Sequence, residues 1–307
     1  MDRFFMTRLP KIHQISIFIK IIECGSIRAA ALELKQTQPG VTRAIKELEK
    51  TLGSPLFIRG SRGIVLTEMG RIFEGRAQLV IKELERAVNE IEIINEASQG
   101  AVTLGCSSLL PLTFLSSSIQ RFQQRYPNVR IHITEGQMSE LLPALREGEL
   151  DFIIDAISTD FTLSDITIEP FFKTSAHIFT NKKHPLARST SLKELECANW
   201  CLPSSKIGYY DKLNSKLFCD TQERTTTVVR SNTMLMALQL VLNENYLTVG
   251  AKEILKVPYF NKELHPISIK EPLPDIDYSF IYSQRFPLTQ IARKFINKLR
   301  YEYEDYQ

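Results

Sequence analysis

The chain has 307 residues, of which 43% are hydrophobic and 24% charged, as in an ordinary soluble globular protein with room for two or three domains. The most hydrophobic early stretch, residues 15–22, is interrupted by Lys20, so we expect neither a signal peptide nor a membrane span. Five dispersed cysteines argue against a disulfide framework and favour a reducing, cytoplasmic location.

The net charge of +3 is unevenly distributed along the chain. Residues 1–62 hold eleven Lys and Arg against five acidic residues, and everything after them carries a small net negative charge. A basic excess at one end of a chain is typical of a protein that binds nucleic acid, although many other proteins share such an asymmetry.

Three short helices are predicted in the first fifty residues. Isoleucines recur at helical spacing in the first of them, at Ile12, Ile15, Ile19 and Ile22. Gly25 ends this helix, and Ser26 is placed to cap the second, residues 27–34. Thr37 is the candidate cap of the third, which has Pro39 in its first turn and runs to about residue 52.

The second and third helices form a helix-turn-helix candidate, because the turn between them is tight and the later helix is polar on one face. Gln38 could pair with an adenine edge, and Arg43 could reach a guanine or a phosphate. The alternative is a small helical bundle whose charges are merely solvated. A predicted strand, turn and strand over residues 56–66 favour DNA binding, since Arg59 and Arg62 at the tip suit a wing that contacts phosphate or the minor groove.

The spacing of these features matches a known family. The matching positions are Gly25-Ser26, Ala29-Ala30, Leu34, Gln38-Pro39, Leu48-Glu49, Leu52-Gly53, Leu56-Phe57, Arg59, Arg62-Gly63, Leu66-Thr67 and Gly70. They resemble, without a gap, the N-terminal signature of LysR-type transcriptional regulators, which implies a winged helix-turn-helix. Gly40, where the family usually has a side chain, and Thr37, where serine is commoner, leave the base preference open. The residues expected to contact DNA are Ser26, Arg28, Thr37, Gln38, Pro39, Thr42, Arg43, Lys46, Arg59 and Arg62.

A long helix is predicted after Thr67, its candidate cap. Apolar or small residues recur at alternating spacings of three and four over more than three heptads, which is typical of a helix that pairs with another. The expected dimer contacts are Phe73, Ala77, Val80, Leu84, Ala87, Ile91 and Ile94. A single helix packed on a domain surface is the alternative; dimerisation, which the resemblance also implies, would present two reading heads to a roughly palindromic operator.

After residue 100, predicted strands at 101–106, 129–135 and 150–156 alternate with predicted helices at about 111–126 and 139–147, which indicates a parallel α/β sheet. Tyr126-Pro127 and residues 145–151 resemble the effector domain of the same family, which implies a two-lobed fold like that of periplasmic solute-binding proteins. The predicted domains are a DNA-binding domain at 1–66, a linker helix at 67–98 and an effector domain at 99–307. Within the last, lobe one is placed at about 100–160 and 268–303 and lobe two at about 161–267, with crossings near 159–163 and 267–274.

Polar residues at strand ends and helix starts mark the expected effector site between the lobes. They are Ser107, Ser108, Gln137, Ser139, Ser204, Ser205, Ser231 and Asn232. Hydroxyl and free N–H groups at helix starts suit an organic carboxylate, but the same residues could simply cap helices. Gly208-Tyr209-Tyr210, residues 11–15 and residues 135–137 look most like the branch that regulates use of aminobenzoyl-glutamate; the tyrosines could equally be packing residues.

No pattern in the sequence predicts an enzyme, a metal site or a cofactor. The five histidines are scattered, and neither a phosphate-binding glycine loop nor a nucleophile elbow is present. Cys197 and Cys201 lie four apart without a second ligand pair nearby. The expected partners are double-stranded DNA, a small carboxylate effector, one or three further copies of the chain, and RNA polymerase. A solute-binding or sensor protein that does not act on DNA is the alternative, against which the basic N-terminal region counts.

Overall fold

The computed structural model describes residues 9–60, 63–94, 100–157, 163–204, 209, 213, 217 and 227–306. Contacts divide the chain into two compact units, Met1–Val88 and Asn89–Gln307. Among the described residues, no helix combines the length and the apolarity that crossing a membrane requires.

The first unit contains three helices, a hairpin and a long helix, as the sequence predicts. Their bounds are α1 Ile12–Cys24, α2 Ile27–Glu33, α3 Gln38–Leu52, β1 Phe57–Gly60, β2 Gly63–Leu66 and α4 Glu68–Ile94. The helices α1 and α3 each end at a glycine in the left-handed region, Gly25 with φ 68° and Gly53 with φ 71°. Only glycine adopts that conformation without strain, so these two residues fix where the helices stop.

One apolar core joins the hairpin to the helices. Phe18 on α1 is fully buried, and its ring centroid lies 5.2 Å from that of Phe57 on β1 and 5.2 Å from that of Phe73 on α4. The hairpin and the first turns of α4 are therefore held by the same side chains that hold α1.

Part of the dimer interface that the sequence predicts on α4 is buried within the chain itself, so that part of the prediction is wrong. Ala77 is only 1% exposed within its own chain, and Phe73 packs against the same core, so Ala77 has no surface left to offer a second copy. The physical reason is that the first turns of α4 complete the core of the first unit. Further along, Val80, Leu84 and Ile91 are 49%, 43% and 58% exposed, and they remain available.

The second unit contains two five-stranded sheets, each flanked by helices. The elements of the first are β3 Ala101–Cys106, α5 Leu109–Leu112, α6 Leu115–Arg125, β4 Arg130–Glu135, α7 Met138–Arg146, β5 Phe152–Ile157, β6 Ile166–Thr174, β12 Ile276–Ser283 and α10 Gln290–Tyr306. Those of the second are β7 Ala176–Asn181, a 3₁₀ helix Leu192–Leu195, β8 Asn199–Pro203, β9 Val228–Ser231, α8 Met234–Asn243, β10 Tyr246–Ala251, a 3₁₀ helix Lys252–Lys256, α9 Pro258–Glu263 and β11 Leu264–Ile267.

Both sheets are mixed rather than parallel, so the predicted parallel sheet is wrong for part of each. The strand orders are β4-β3-β5-β12-β6 and β11-β7-β10-β8-β9. In the first sheet β3 pairs in parallel with β4 and β5, whereas β12 is antiparallel to both β5 and β6. Strand β12 runs in the opposite direction to β5 because the chain returns to the first sheet from the second lobe.

The first crossing between lobes lies later than predicted. Strand β6 belongs to the first sheet, so the chain crosses at Ser175 and not near 159–163. The side chains of β6 explain this placement, since the Phe172 ring stacks on Tyr278 at 4.6 Å and on Tyr303 at 4.0 Å and completes the core of the first lobe. The return runs between Ile267 and Ile276.

Candidate DNA-binding face and effector cleft

Helix α3 separates a buried face from a polar one. Its start is fixed by Thr37, whose hydroxyl accepts a hydrogen bond from the Gly40 N–H at 3.3 Å, and by Pro39 in the first turn. The buried side chains are Val41, Ile45 and Leu48. The opposite face is exposed and carries the residues predicted to meet DNA, namely Gln38, Pro39, Arg43 and Lys46, with Thr42 half-buried beside them.

Arg43 is oriented by an acidic neighbour on the same helix. Its Nε donates to Glu47 Oε1 at 3.1 Å, while Gln14 Nε2 on α1 donates to Glu47 Oε2 at 3.3 Å. The Arg43 side chain is 83% exposed, so this pair contributes little stability and can be exchanged for a base or a phosphate. The Thr42 hydroxyl donates to the Gln38 carbonyl at 2.9 Å and keeps its lone pairs for an incoming donor.

The remaining predicted DNA contacts lie on α2 and the hairpin. Ser26 is the cap of α2, where its hydroxyl accepts from the Ala29 N–H at 3.1 Å, and Arg28 is exposed in the first turn of the same helix. Arg59 lies on β1 opposite Ile64. The side chain of Arg59 and the whole of Arg62 lie outside the part of the chain that the structure describes.

Three residues that position the hairpin were not among the predicted site residues. Glu49 Oε1 accepts from the Leu56 N–H at 2.8 Å and from the Phe57 N–H at 3.3 Å. The Thr67 hydroxyl donates to the Pro55 carbonyl at 2.7 Å and accepts from the Gly70 N–H at 2.9 Å. Glu49, Thr67 and Gly70 all belong to the family-like pattern in the sequence, so that pattern was the signal that could have identified them as residues that position the hairpin.

A cleft lies between the two sheets of the second unit. Four of the eight predicted effector residues line it, and they are Ser107, Ser108, Gln137 and Ser231. Ser139 is exposed on α7, Ser204 donates its N–H to the Ser231 carbonyl at 3.1 Å, and Ser205 lies outside the described residues. The cleft therefore receives predicted residues from both lobes, which no local sequence pattern could place together.

Several of these polar groups already have protein partners. The Ser108 hydroxyl donates to Glu135. Ser231 Oγ accepts from the Thr233 N–H at 3.1 Å, and Thr233 caps α8 by accepting from the Met236 N–H at 3.4 Å. Ser231 therefore makes a local turn contact just before α8, and Thr233 rather than Ser231 caps the helix.

The lobes are bonded to each other at the mouth of the cleft. Gln137 Nε2 on the first lobe donates to the Asn232 carbonyl on the second at 3.2 Å. Asn232 Nδ2 donates back to Glu140 Oε1 at 2.7 Å. These residues sit at the starts of α7 and α8, so the two helix N-termini meet across the cleft.

The cleft contains one buried carboxyl group that the sequence prediction missed. Asp155, near the end of β5, is 5% exposed, and its Oδ1 accepts from the Ala156 N–H at 2.7 Å. Burial raises the pKa of Asp155 to about 7, while the hydrogen bond from Ala156 and the nearby Ser107 hydroxyl oppose the shift. Burial likewise raises the pKa of the adjacent Cys106 thiol to about 12, which makes it unreactive.

Ser107 Oγ is buried at the same place and makes no hydrogen bond of good geometry in the described structure, although it lies close enough to Asp155 to lower the pKa of that carboxyl group. Its strand β3 runs beside β5 with Cys106 opposite Ile154, so Ser107 comes level with Asp155. Among the described residues that line the cleft there is no Lys, Arg or His, and the rest of the wall is largely apolar.

Comparison of this chain with known proteins shows to which protein family it belongs. Residues 12–71 match the family model described as bacterial regulatory helix-turn-helix protein, lysR family, and residues 95–304 match the LysR substrate binding domain. The transcriptional regulator TdcA of Escherichia coli (strain K12) is 30% identical over 298 residues, covering 97% of this chain and 95% of TdcA. The chain belongs to the LysR family of transcriptional regulators.

Solved structures agree with this LysR-family fold. Full-length CbnR in complex with its target DNA matches with a TM-score of 0.68 at 18% identity, covering 95% of this chain and 99% of CbnR. A full-length single-site variant of OxyR from Pseudomonas aeruginosa matches with a TM-score of 0.66 at 19% identity, covering 95% of this chain and 94% of OxyR. The predicted fold class is confirmed: a helix-turn-helix domain is followed by a two-lobed α/β effector domain.

Membership in the LysR family also confirms the predicted function class, a DNA-binding transcriptional regulator rather than an enzyme. Within this regulator, Tyr209 is 4% exposed and donates from its hydroxyl to the Pro274 carbonyl at 2.5 Å, so it is a packing residue. Cys197 is exposed and Cys201 is buried, and neither forms a disulfide. Among the described residues, no group of three or more His, Cys, Asp or Glu side chains is arranged to hold a metal ion.

Proposed function

We propose that this LysR-family regulator reads its operator through the exposed face of α3, with Gln38, Thr42 and Arg43 at base edges. The observation that carries the proposal is the division of α3 into a fully buried apolar face and an exposed face of hydrogen-bonding side chains. The N-terminal part of the second helix of such a motif is the part that enters a major groove. Ser26, Arg28, Lys46, Arg59 and Arg62 hold the DNA backbone in this proposal, and Thr37 and Pro39 set the start of the helix.

The regulator acts at least as a dimer in this proposal. Helix α4 leaves an apolar stripe of Val80, Leu84, Ala87 and Ile91 exposed, while Ile94 has no described side chain. Pairing of two such stripes would bury them and place two reading heads on a roughly palindromic operator. A tetramer would be built from two dimers, with domain limits near 66/67 and 98/99.

A small molecule bound between the lobes controls the regulator in this proposal. The N-termini of α7 and α8 meet at the cleft and supply partial positive charge, which supports an organic carboxylate, of which aminobenzoyl-glutamate is the narrower prediction. Binding would change how the lobes and copies are placed, and hence DNA bending or contact with RNA polymerase. Linkage then requires that effector and DNA alter each other's affinity by the same factor, unless only polymerase contact changes.

The test is selection of bound sequences from a random DNA library by the full chain, followed by salt titration of the best site. Arg43→Ala should relax the selected sequence at one position, with a loss of about 1–3 kcal/mol on the cognate site. Arg28→Ala is the matched control on α2, where loss of a phosphate contact should weaken all sequences alike and reduce the salt slope by about 1.

Loss of general affinity alone in both variants would contradict base reading by Arg43. If the DNA affinity of the unaltered protein did not depend on salt concentration, the whole proposal would be contradicted, since phosphate contacts make affinity fall steeply with ionic strength. That second result would favour the alternative of a sensor that does not act on DNA.

A further inference from the structure

The buried Asp155 carboxyl group is the feature of the cleft that the proposed function leaves unexplained. It lies at the C-terminal end of β5, receives a backbone hydrogen bond from Ala156, and has the buried Ser107 hydroxyl beside it. A carboxylate buried without a cation is costly, so proteins protonate it, pair it or use it to bind a positive ligand. Among the described residues that line the cleft, none offers a positive charge.

We propose that the effector carries a protonated amine, which enters the cleft and binds between the Asp155 carboxylate and the Ser107 hydroxyl. This inference rests on the proposed effector site and names the chemistry that the site selects. An ammonium group has three donors and can satisfy both the carboxylate and the unpartnered Ser107 oxygen. Phe179, Leu202 and Met234 line the same space, whose volume is about 40 Å³, so the carbon skeleton beside the amine is small and at least partly apolar.

A carboxylate on the same molecule is compatible with this arrangement, whereas a carboxylate alone is not. The α7 and α8 N-termini meet at the mouth of the cleft, while Asp155 lies on the sheet side of it, so a zwitterion could use both ends. A ligand that brought only negative charge to Asp155 would have to force the carboxyl group to stay protonated.

An ammonium ligand and an anionic ligand differ in whether the protein releases or takes up protons when the ligand binds. With its pKa at about 7, Asp155 is about half protonated at neutral pH in the empty cleft, so an ammonium group should expel about half a proton and an anion should take up about half. The titratable groups around Asp155 are Cys106 on β3, Glu135 on β4 and Tyr278 on β12; the described lining of the second lobe contributes none. The pKa of Cys106, at about 12, is too high for this thiol to exchange protons near neutrality.

The experiment is isothermal titration of the full chain near pH 7 in two buffers of different ionisation enthalpy. The probes are matched sets on the skeletons of alanine, valine, leucine and phenylalanine: the amino acid, the 2-hydroxy acid and the amine without the carboxylate. We expect at least one amine-bearing probe to bind with proton release and its 2-hydroxy acid to bind much more weakly. Asp155→Asn should weaken that probe by about thirtyfold or more, since one partner of a buried charge pair is lost.

Asp151→Asn is the control, because Asp151 is another buried carboxyl group of the same lobe, bonded to Thr103 and outside the cleft lining. It should leave the affinity within about threefold, as expected for a site without a shared partner. Binding of carboxylate probes alone, with proton uptake, would overturn the ammonium assignment and leave the effector cleft standing. Failure of every amine to bind, in protein that still shifts operator DNA, would overturn the assignment and leave the DNA-reading function untouched.

Discussion

A single methyl group added at Gly70 should displace the wing. A Cβ built at Gly70 would lie 2.2 Å from the Leu56 carbonyl oxygen, a backbone atom that cannot swing aside because it also accepts from the Thr67 N–H at 2.9 Å. Relief of such overlap typically costs about 1–3 kcal/mol, and more where backbone must move. Helix propensity opposes this by about 1 kcal/mol, so Gly70→Ala should lose up to about 2 kcal/mol of unfolding free energy.

The same helix supplies the control. Gly75 is exposed on α4, and a Cβ there would meet nothing within 4 Å, so Gly75→Ala should gain up to about 1 kcal/mol. Thermal unfolding of the full chain should place the transition of the first unit about 4–8 °C lower for each kcal/mol lost, with a matching fall in affinity for DNA that the wing contacts. Equal stability of the two variants would refute the close-approach argument.

Two further predictions concern the dimer and pH. Leu84→Glu should lower the oligomeric mass measured by sedimentation, because it places a charge in the apolar stripe, whereas Lys82→Glu on the opposite side of α4 should not. An unchanged mass for Leu84→Glu would rule out the stripe as the dimer interface. Because burial raises the pKa of Asp155 from 3.8 to about 7, its contribution to stability is complete below 3.8 and declines up to about pH 7, by at most about 4 kcal/mol. The melting temperature of Asp155→Asn relative to the unaltered chain should therefore rise between pH 4 and 7, and a constant difference would contradict the shifted pKa.

Local sequence patterns were sufficient for the elements of the DNA-binding unit and for the first strands and helices of the second unit. Strand β3 occupies the predicted residues 101–106. Gly25 and Gly53 end their helices in the left-handed backbone conformation, which glycine adopts most readily, so the residue type alone predicts these helix ends. The predicted helix over 111–126 is divided into α5 and α6, since Thr113 leaves the helical region. Which sheet β6 joins depends on contacts with β12, more than a hundred residues away in the chain, and periodicity carries no information about that pairing.

Asp155 was missed for a related reason. Residues 150–156 predict a buried strand, which the structure has at Phe152–Ile157, and a polar residue inside such a run is expected to belong to the strand rather than to a site. A lone acidic side chain at the carboxyl end of an otherwise apolar buried strand is the signal that could have identified it, because ligand sites of α/β folds gather at those ends. Among the serines predicted for the cleft, Ser107 has a buried hydroxyl group that makes no hydrogen bond of good geometry in the described structure.

The hydrogen bonds between the lobes at the mouth of the cleft determine how much free energy an effector must supply to change the lobe arrangement. The bonds among Gln137, Asn232 and Glu140 are solvent-exposed, and each contributes about 0.5–1.5 kcal/mol at most, so together they bias the lobes by only a few kcal/mol. Thr174 on β6 bonds to the buried Glu253 at 2.5 Å beside the crossing at Ser175, so the lobes are held more firmly there than at the mouth. A charged ligand at Asp155 supplies free energy of the same size as the mouth bonds. We therefore expect occupancy of the cleft to change the lobe arrangement without unfolding either lobe, as the proposed coupling between effector and DNA requires.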